Sequence, residues 1–447
     1  MTVSDLLSFA DFGIKRGLEL GADEVEIFLL RGENTEVTLE NNDVHLGSTD
    51  IASGLGVRVF KNKGLGFAST NSISEREITN AIESALRLAG HAPPEPWNEL
   101  PDKAPLKRLE GLYDPKSEGF ETEDALQLAT ELLNAALGFD KRITVESGVF
   151  TATKGEEAIM NSRGVEAEEK TSNFMYYLFG MAIDGQEVSN MDFSIDFTHQ
   201  VGKIDVLKPA ERFAERVVSS LGAKSVESFE GAAILGPDAG RALLGAVVSH
   251  AIDSDNVQKG MSKFADRIGT EVASANLTVI DDGLLADGFS TSAFDREGIP
   301  HRPITLIGKG ELKSFIYNTK TANKGDSEST GNASGDYRRP PVVGTTNFIV
   351  EGGGSSFEGM VSDTEHGIVV RRLSGFPETV SGDFSAVVKG GFLVEKGEII
   401  QPVTDTLISG NVFEIMKNIE SVSKERETVL SYTLPYIKTS RLLITGK

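Results

Sequence analysis

From the first residues, apolar positions recur at three- and four-residue intervals: Leu6, Leu7, Ala10, Ile14 and Leu18 share one face. That spacing predicts a helix over about Ser4 to Leu20, with Gly21 as its stop. The period then changes to two. Val25, Ile27 and Leu29 alternate with charged or bulky neighbours, as a half-buried strand does, and Val37 and Leu39 begin a second strand that breaks at Asn41-Asn42-Asp43. Val57-Arg58-Val59-Phe60 and Leu65-Gly66-Phe67 form a predicted hairpin joined by Lys61-Asn62-Lys63-Gly64. Ser74-Glu75-Arg76-Glu77 is a capping box, in which each end residue satisfies the other's backbone donor. Ile78, Ala81, Ile82, Ala85 and Leu86 continue that helix as an apolar stripe, and Gly90 ends it.

Residues 91–105 hold five prolines and no period, so they read as a linker or extended arm. A third helix is predicted from about Thr122 to Leu137, strands over about 142–205, and a fourth helix near Pro209 to Leu221. From about 225 the chain is richer in glycine and short strands. The expected division is an N-terminal α+β domain at 1–225 and a β-rich C-terminal domain at 226–447. The class is α+β, with mainly antiparallel sheets and flanking helices. Glu351-Gly352-Gly353-Gly354-Ser355-Ser356 reads as a flexible tip.

Composition narrows the function classes. Hydrophobic residues make up 39% and charged residues 25%, a globular balance. No apolar run approaches the roughly 18 residues of a membrane span. Met1 to Ala10 carries Asp5 and no basic segment, unlike a secretory signal. The chain is therefore expected in the cytoplasm and off the membrane. It has no cysteine, so disulfides and thiolate ligands are excluded. A net charge of -23 sets it against a nucleic-acid partner.

The usual phosphate-binding and nucleophile-elbow motifs are absent. Gly54-Leu55-Gly56 sits within a hairpin, without the helix that would present a pyrophosphate, and reads as close backbone packing. No two of the six histidines lie three to five residues apart, so no helical turn offers paired imidazoles to zinc. His250 stands out by its setting. Pro237 and Asp238 start a helix over about 237–256, with Leu243, Leu244, Val247, Val248 and Ala251 as its buried stripe. A metallohydrolase would place an earlier ligand and a general-base glutamate one turn before His250. Those slots hold Gly245 and Ala246. Asp253 and Asp255 follow, and read as solvated carboxylates at a helix end.

A longer pattern then emerges. It comprises His250-Ala251-Ile252-Asp253-Ser254-Asp255, Lys259-Gly260-Met261-Ser262, Thr278-Val279-Ile280-Asp281-Asp282-Gly283, Asp295-Arg296-Glu297-Gly298-Ile299-Pro300 and Ser329-Thr330-Gly331-Asn332-Ala333. Ser381-Gly382-Asp383-Phe384-Ser385 and Ser409-Gly410-Asn411 complete it. In order and spacing these blocks resemble the TldD/PmbA family of metallopeptidases, also described as modulators of DNA gyrase. The resemblance extends through Asn161-Ser162-Arg163-Gly164 to Gly54-Leu55-Gly56 and so covers nearly the whole chain. It implies two kinds of member: TldD-like subunits with a zinc-binding His-Glu-x-x-x-His helix and a later cysteine, and TldE (PmbA)-like subunits without them. Laid on this chain, the first histidine falls on Gly245, the glutamate on Ala246 and the second histidine on His250, so the site is degenerate. The implied role is a non-catalytic subunit that binds no zinc itself and helps a TldD-like partner receive unfolded peptides. Isolated, the chain is expected to be able to form a homodimer. Two other readings stay open: a regulatory protein of the gyrase-modulator type, and a peptidase with an unusual metal site around His250. Ser329, Thr330, Gly331 and Asn332, with Ser381, Gly382 and Asp383, are the candidate cleft and peptide-binding residues. Tight turns are the alternative reading for these glycine-bearing blocks.

Overall fold

The computed structural model describes residues 3–446; Met1, Thr2 and Lys447, at the outer ends of the two expected domains, lie outside them. The first half is one antiparallel sheet of seven strands, ordered β3-β2-β1-β4-β5-β6, with β7 also pairing β5. The strands are β1 (Glu24–Glu40), β2 (Asp43–Lys61), β3 (Gly64–Thr70), β4 (Ile143–Asn161), β5 (Glu166–Asp184), β6 (Glu187–Val188) and β7 (Asp192–Thr198). Helices α1 (Val3–Glu19), α2 (Glu75–Ala89), α3 (Thr122–Phe139) and α4 (Leu207–Val218) accompany them.

The polar run 31–36 predicts a break between two strands, yet β1 passes through it intact. There each residue pairs with β2 on one side and β4 on the other, so ladder hydrogen bonds hold a segment with little apolar alternation. The reversals fall on Asn41 and Asn42 (φ 51° and 66°) and on Asn62 and Lys63 (φ 50° and 62°). Two successive left-handed residues match the right-handed twist of flanking strands. Residues 91–105 have no regular structure but are tied down. Glu95 N donates to Lys63 O at 3.1 Å, and Asn161 Nδ2 to Pro101 O at 2.9 Å.

Period two sorts the faces of this sheet. Odd positions Val25, Ile27, Leu29, Leu55, Val57 and Val59 are fully buried against α1 and α2. Even positions Glu26, Phe28, Gly54, Gly56 and Arg58 face the other way, toward the second half of the chain.

That half is built on an eleven-stranded sheet. Five of its strands close on themselves: Phe229–Leu235 pairs His366–Ser374 in parallel, and then Asp383–Glu395, Leu407–Asn411 and Tyr432–Thr445 follow antiparallel, the last returning to Phe229–Leu235. Inside the largest core lie Leu243, Leu244, Val247, Val248 and Ala251, the stripe expected for the helix after Pro237. This helix runs Pro237–Gly240, makes a π turn over Arg241–Gly245, and continues as Ala246–Ile252. It stops short of residue 256. Asp253 is extended (φ -69°, ψ 116°) and its carboxylate accepts from Asp255 N at 2.8 Å, capping a separate short helix, Ser254–Gln258. The 351–356 segment is pinned, not a free tip: Gly353 N donates to Ser423 O at 2.8 Å, and a Cβ on Gly353 would lie 2.3 Å from Val422 O. No helix among the described residues is long and apolar enough to cross a membrane.

Candidate functional site

The helix carrying Gly245, Ala246 and His250 is held so that each position has a definite environment. Gly245 is buried, and a Cβ there would come within 2.8 Å of Tyr432 Cε1. The Tyr432 ring therefore occupies the space a longer side chain would take. Ala246 opens on a cavity of about 200 Å³ also lined by Arg241, Arg372, Phe376 and Tyr432.

His250 is half-buried, and both ring nitrogens are engaged. Nε2 lies 3.1 Å from the Met261 carbonyl oxygen, and Nδ1 lies 3.2 Å from Asn256 Nδ2. The same amide nitrogen donates to His250 O at 3.1 Å and to the Asp253 carboxylate at 3.3 Å, which fixes the amide's orientation. A carbonyl only accepts and an amide N–H only donates, so this arrangement is satisfied by neutral imidazole protonated on Nε2. A metal at either nitrogen would have to displace one of these bonds. Catalytic zinc needs three protein ligands. Among the described residues no group of three His, Asp or Glu is placed to hold a metal ion. The residues present do not fit a resident zinc.

A second polar centre, which sequence reasoning missed, joins the two halves. Glu26 and Arg58 project from even positions of β1 and β2 and meet the Asp295-Arg296-Glu297 turn. Arg58 donates to Glu26 and, at 2.7 Å, to Glu297 Oε1; Arg296 Nη1 donates to Glu26 Oε1 at 3.1 Å. The Arg296 guanidinium also stacks 3.8 Å over the Phe28 ring. All four charged side chains are buried. Asp295 accepts from the backbone N–H groups of Glu297, Ile299 and Ala333 at 2.8, 3.0 and 2.9 Å. Burial first, and then the Glu297 charge, pushes its carboxyl up against those donors. Tyr337 lies against Gly54 and Gly56: a Cβ on Gly54 would be 2.2 Å from Tyr337 Cδ1. Close backbone packing is thus the role of the Gly54-Leu55-Gly56 pair.

Beside this network a cleft of about 450 Å³ opens between β1, β4 and β5 and the 290–301 and 333–346 segments. Glu157 and Glu169 stand directly opposite each other on β4 and β5 and both line it. Glu157 is pushed up to about 7, by burial and then by the Glu169 charge, with Arg296 opposing. His301 closes one side. Its Nδ1 faces Gly331 O at 2.6 Å, and burial lowers it to about 4, so the ring is neutral near pH 7.

The Ser329–Asn332 block packs behind this cleft. Thr330 Oγ1 donates to Asn332 Oδ1 at 2.7 Å, Asn332 Nδ2 to Asp281 at 2.6 Å, and Gly331 (φ 74°) presents its carbonyl to His301. The next residues, Ala333, Ser334 and Gly335, form its wall. Ser381, Gly382 and Asp383 have other partners. Gly382 turns at φ 84°, Ser381 N binds Glu378 at 2.6 Å, and Asn411 Nδ2 donates to Ser381 O and Asp383 at 2.9 and 2.8 Å. Glu157, Glu169 and the 295–297 turn left one legible trace: three adjacent charged residues, Asp295-Arg296-Glu297, inside a family block. Glu26 and Glu157 carry no signal of their own, because period two does not say which face of a strand meets water.

Comparison with known proteins gives the family. Models of PmbA/TldA metallopeptidases match the chain in three parts: domain 1 at residues 25–89, the central domain at 115–221 and the C-terminal domain at 230–446. The chain belongs to the PmbA/TldD metallopeptidase family. Metalloprotease MJ0996 of Methanocaldococcus jannaschii is 27% identical over 434 residues, covering 94% of this chain and 93% of that protein. Metalloprotease PmbA of Escherichia coli O157:H7 is 27% identical over 429 residues, covering 93% and 91%. Haemophilus influenzae contributes both a metalloprotease TldD homolog, 24% identical over 442 residues (96% and 90% covered), and a PmbA homolog, 25% identical over 459 (99% and 96%). The crystal structure of TldE from Thermococcus kodakarensis superposes with a TM-score of 0.89 over 100% of both chains at 24% identity, a likeness of fold.

Proposed function

We propose that this chain is the metal-free, TldE-like subunit of a cytoplasmic two-subunit peptidase. Its domains, 1–225 and 226–447, wall part of the cavity through which a TldD-like, zinc-bearing partner receives unfolded peptides. The observation that carries this reading is the state of the 245–250 helix. Gly245 is backed by Tyr432, Ala246 has no proton acceptor, and both nitrogens of His250 are already bonded. Water activation needs a metal and a general base, and this helix supplies neither. Two kinds of family member coexist in Haemophilus influenzae, which supports a division of labour. The Ser329–Asn332 block, behind the interdomain cleft, is assigned to peptide presentation; Ser381–Asp383 is assigned to holding a turn. Elemental analysis of the purified chain tests the central point. Well below one zinc per chain is expected, unchanged by His250→Ala. One zinc per chain, lost in His250→Ala, would overturn the reading in favour of a metal site of its own.

A further inference from the structure

The outer side of β2 is paired along only part of its length. Leu55–Lys61 pair there with β3, which stops at Thr70. From Gly54 back to Asp43 no described strand pairs on that side, while β1 holds the other. A bulge at His45 lies near the far end, and Leu46 to Ser53 pair with Thr38 to Arg31 in unbroken register. That leaves a regular open edge of roughly 26 Å.

The turn at its other end shows which groups face outward. Asn62 and Lys63, both left-handed, make a two-residue turn, so Lys61 and Gly64 exchange hydrogen bonds directly. Counting back by twos, odd positions of β2 turn their N–H and C=O toward the β3 side, and even positions toward β1. Gly47, Thr49 and Ile51 therefore offer their backbone donors and acceptors to the open side. Proteins usually guard such an edge with lysine, proline, a short length or a covering element. Leu46–Ser53 contains no lysine, arginine or proline. It also exposes apolar side chains on both faces, Leu46 at 56% and Ile51 at 78%.

Charge selects the occupant. Asp50 lies in the edge itself, and Glu36 is the β1 partner of Ser48 on the same face. Neither has a lysine or arginine within ion-pair distance among the described residues. On the other face Thr122 Oγ1, 3.1 Å from Thr49 Oγ1, brings the first turn of α3 alongside, with Glu123 and Asp124. A second copy of this chain would bring the same carboxylates to the seam, where facing like charges destabilise a strand pair. A cationic chain would be favoured instead.

We propose that the Leu46–Ser53 edge of β2 takes an extended, lysine- or arginine-bearing polypeptide segment as an added strand. Main-chain bonds to Gly47, Thr49 and Ile51 hold it, and the carboxylates on the two faces select its charge. The site uses no metal and no residue of the 245–250 helix, so it stands or falls apart from the subunit reading.

Fluorescence anisotropy on the full chain tests it with three dye-labelled octapeptides: alternating lysine and threonine, alternating glutamate and threonine, and the lysine peptide with its backbone nitrogens methylated. The lysine peptide is expected to bind at least tenfold tighter than either of the others. Asp50→Lys should narrow its advantage over the glutamate peptide to below threefold. Ile51→Pro removes one outward N–H and spares the β1 ladder, so binding should weaken at least tenfold while the melting temperature holds. If Ile51→Pro melts lower, the exposed Asp50→Lys variant decides alone. Equal binding of lysine and glutamate peptides, equal binding of the methylated peptide, or a lysine preference that survives Asp50→Lys would overturn the proposal. So would a dimer of the free chain on a sizing column that Asp50→Lys or Ile51→Pro splits into monomers, since the edge would then belong to a second copy.

Discussion

Single residues decide how the halves of this molecule meet. Arg58 answers two buried carboxylates at once, Glu26, which it shares with Arg296, and Glu297, whose other oxygen accepts from Thr319 N. Removing one partner of a buried ion pair costs about 3–5 kcal/mol, because the remaining charge stays desolvated. Arg58→Ala should lose stability on that scale in denaturant unfolding, far more than a surface arginine such as Arg76. Gly54 is a second such point: Gly54→Ala drives a methyl into the Tyr337 ring, and overpacking of this kind costs about 1–3 kcal/mol. Glu157 gives a pH signature. Its carboxyl is raised to about 7 when folded, against an ordinary 4.5. The folded state thus holds that proton more tightly than the unfolded one. The resulting stabilisation is complete below pH 4.5 and lost as pH rises through about 7. Glu157→Gln should flatten that decline, as followed by melting temperature across the window. At this scale the sequence disclosed Gly245, Ala246 and His250 as positions. It did not disclose that Tyr432, distant in sequence, and Asn256 and Met261, in the short helix and loop that follow, fill the space and bonds around them.

Elements were legible where a period ran long enough. The stripes of α2 and the helix after Pro237 stand where the apolar spacing puts them, whereas α1 buries Leu6 and Ala10 but leaves Leu18, the last member of its expected stripe, 44% exposed. The Ser74 cap is realised by a bond from Glu77 N at 3.2 Å, and Ser74→Ala should cost about 1 kcal/mol of stability. Strand β1 was harder to see whole, because residues 31–36 are held by ladders on both sides and not by alternation. The helix end was misplaced because Asp253 satisfies a backbone N–H with its own side chain and so starts a new helix. The π turn at Arg241–Gly245 left no sequence trace. It ends on Gly245, and such turns often accompany functional positions.

For the whole molecule, the α+β class and the antiparallel sheets followed from the order of periods. Closure of five strands into a ring did not, because it pairs Phe229–Leu235 with Tyr432–Thr445 across two hundred residues of chain. Nor was the interdomain cleft visible, since its walls come from β4, β5 and two loops of the other half. The central claim is a division of labour: this chain shapes a peptide path, and a partner does the chemistry. The most direct measurement is cleavage of an unfolded peptide by this chain, by its TldD-like partner, and by an equimolar mixture, each run over a sizing column beforehand. The account predicts no cleavage by this chain alone, a mixed complex on the column, and cleavage by the mixture well above that of the partner. Equal cleavage by partner and mixture with no complex, or zinc-dependent cleavage by this chain alone, would contradict it.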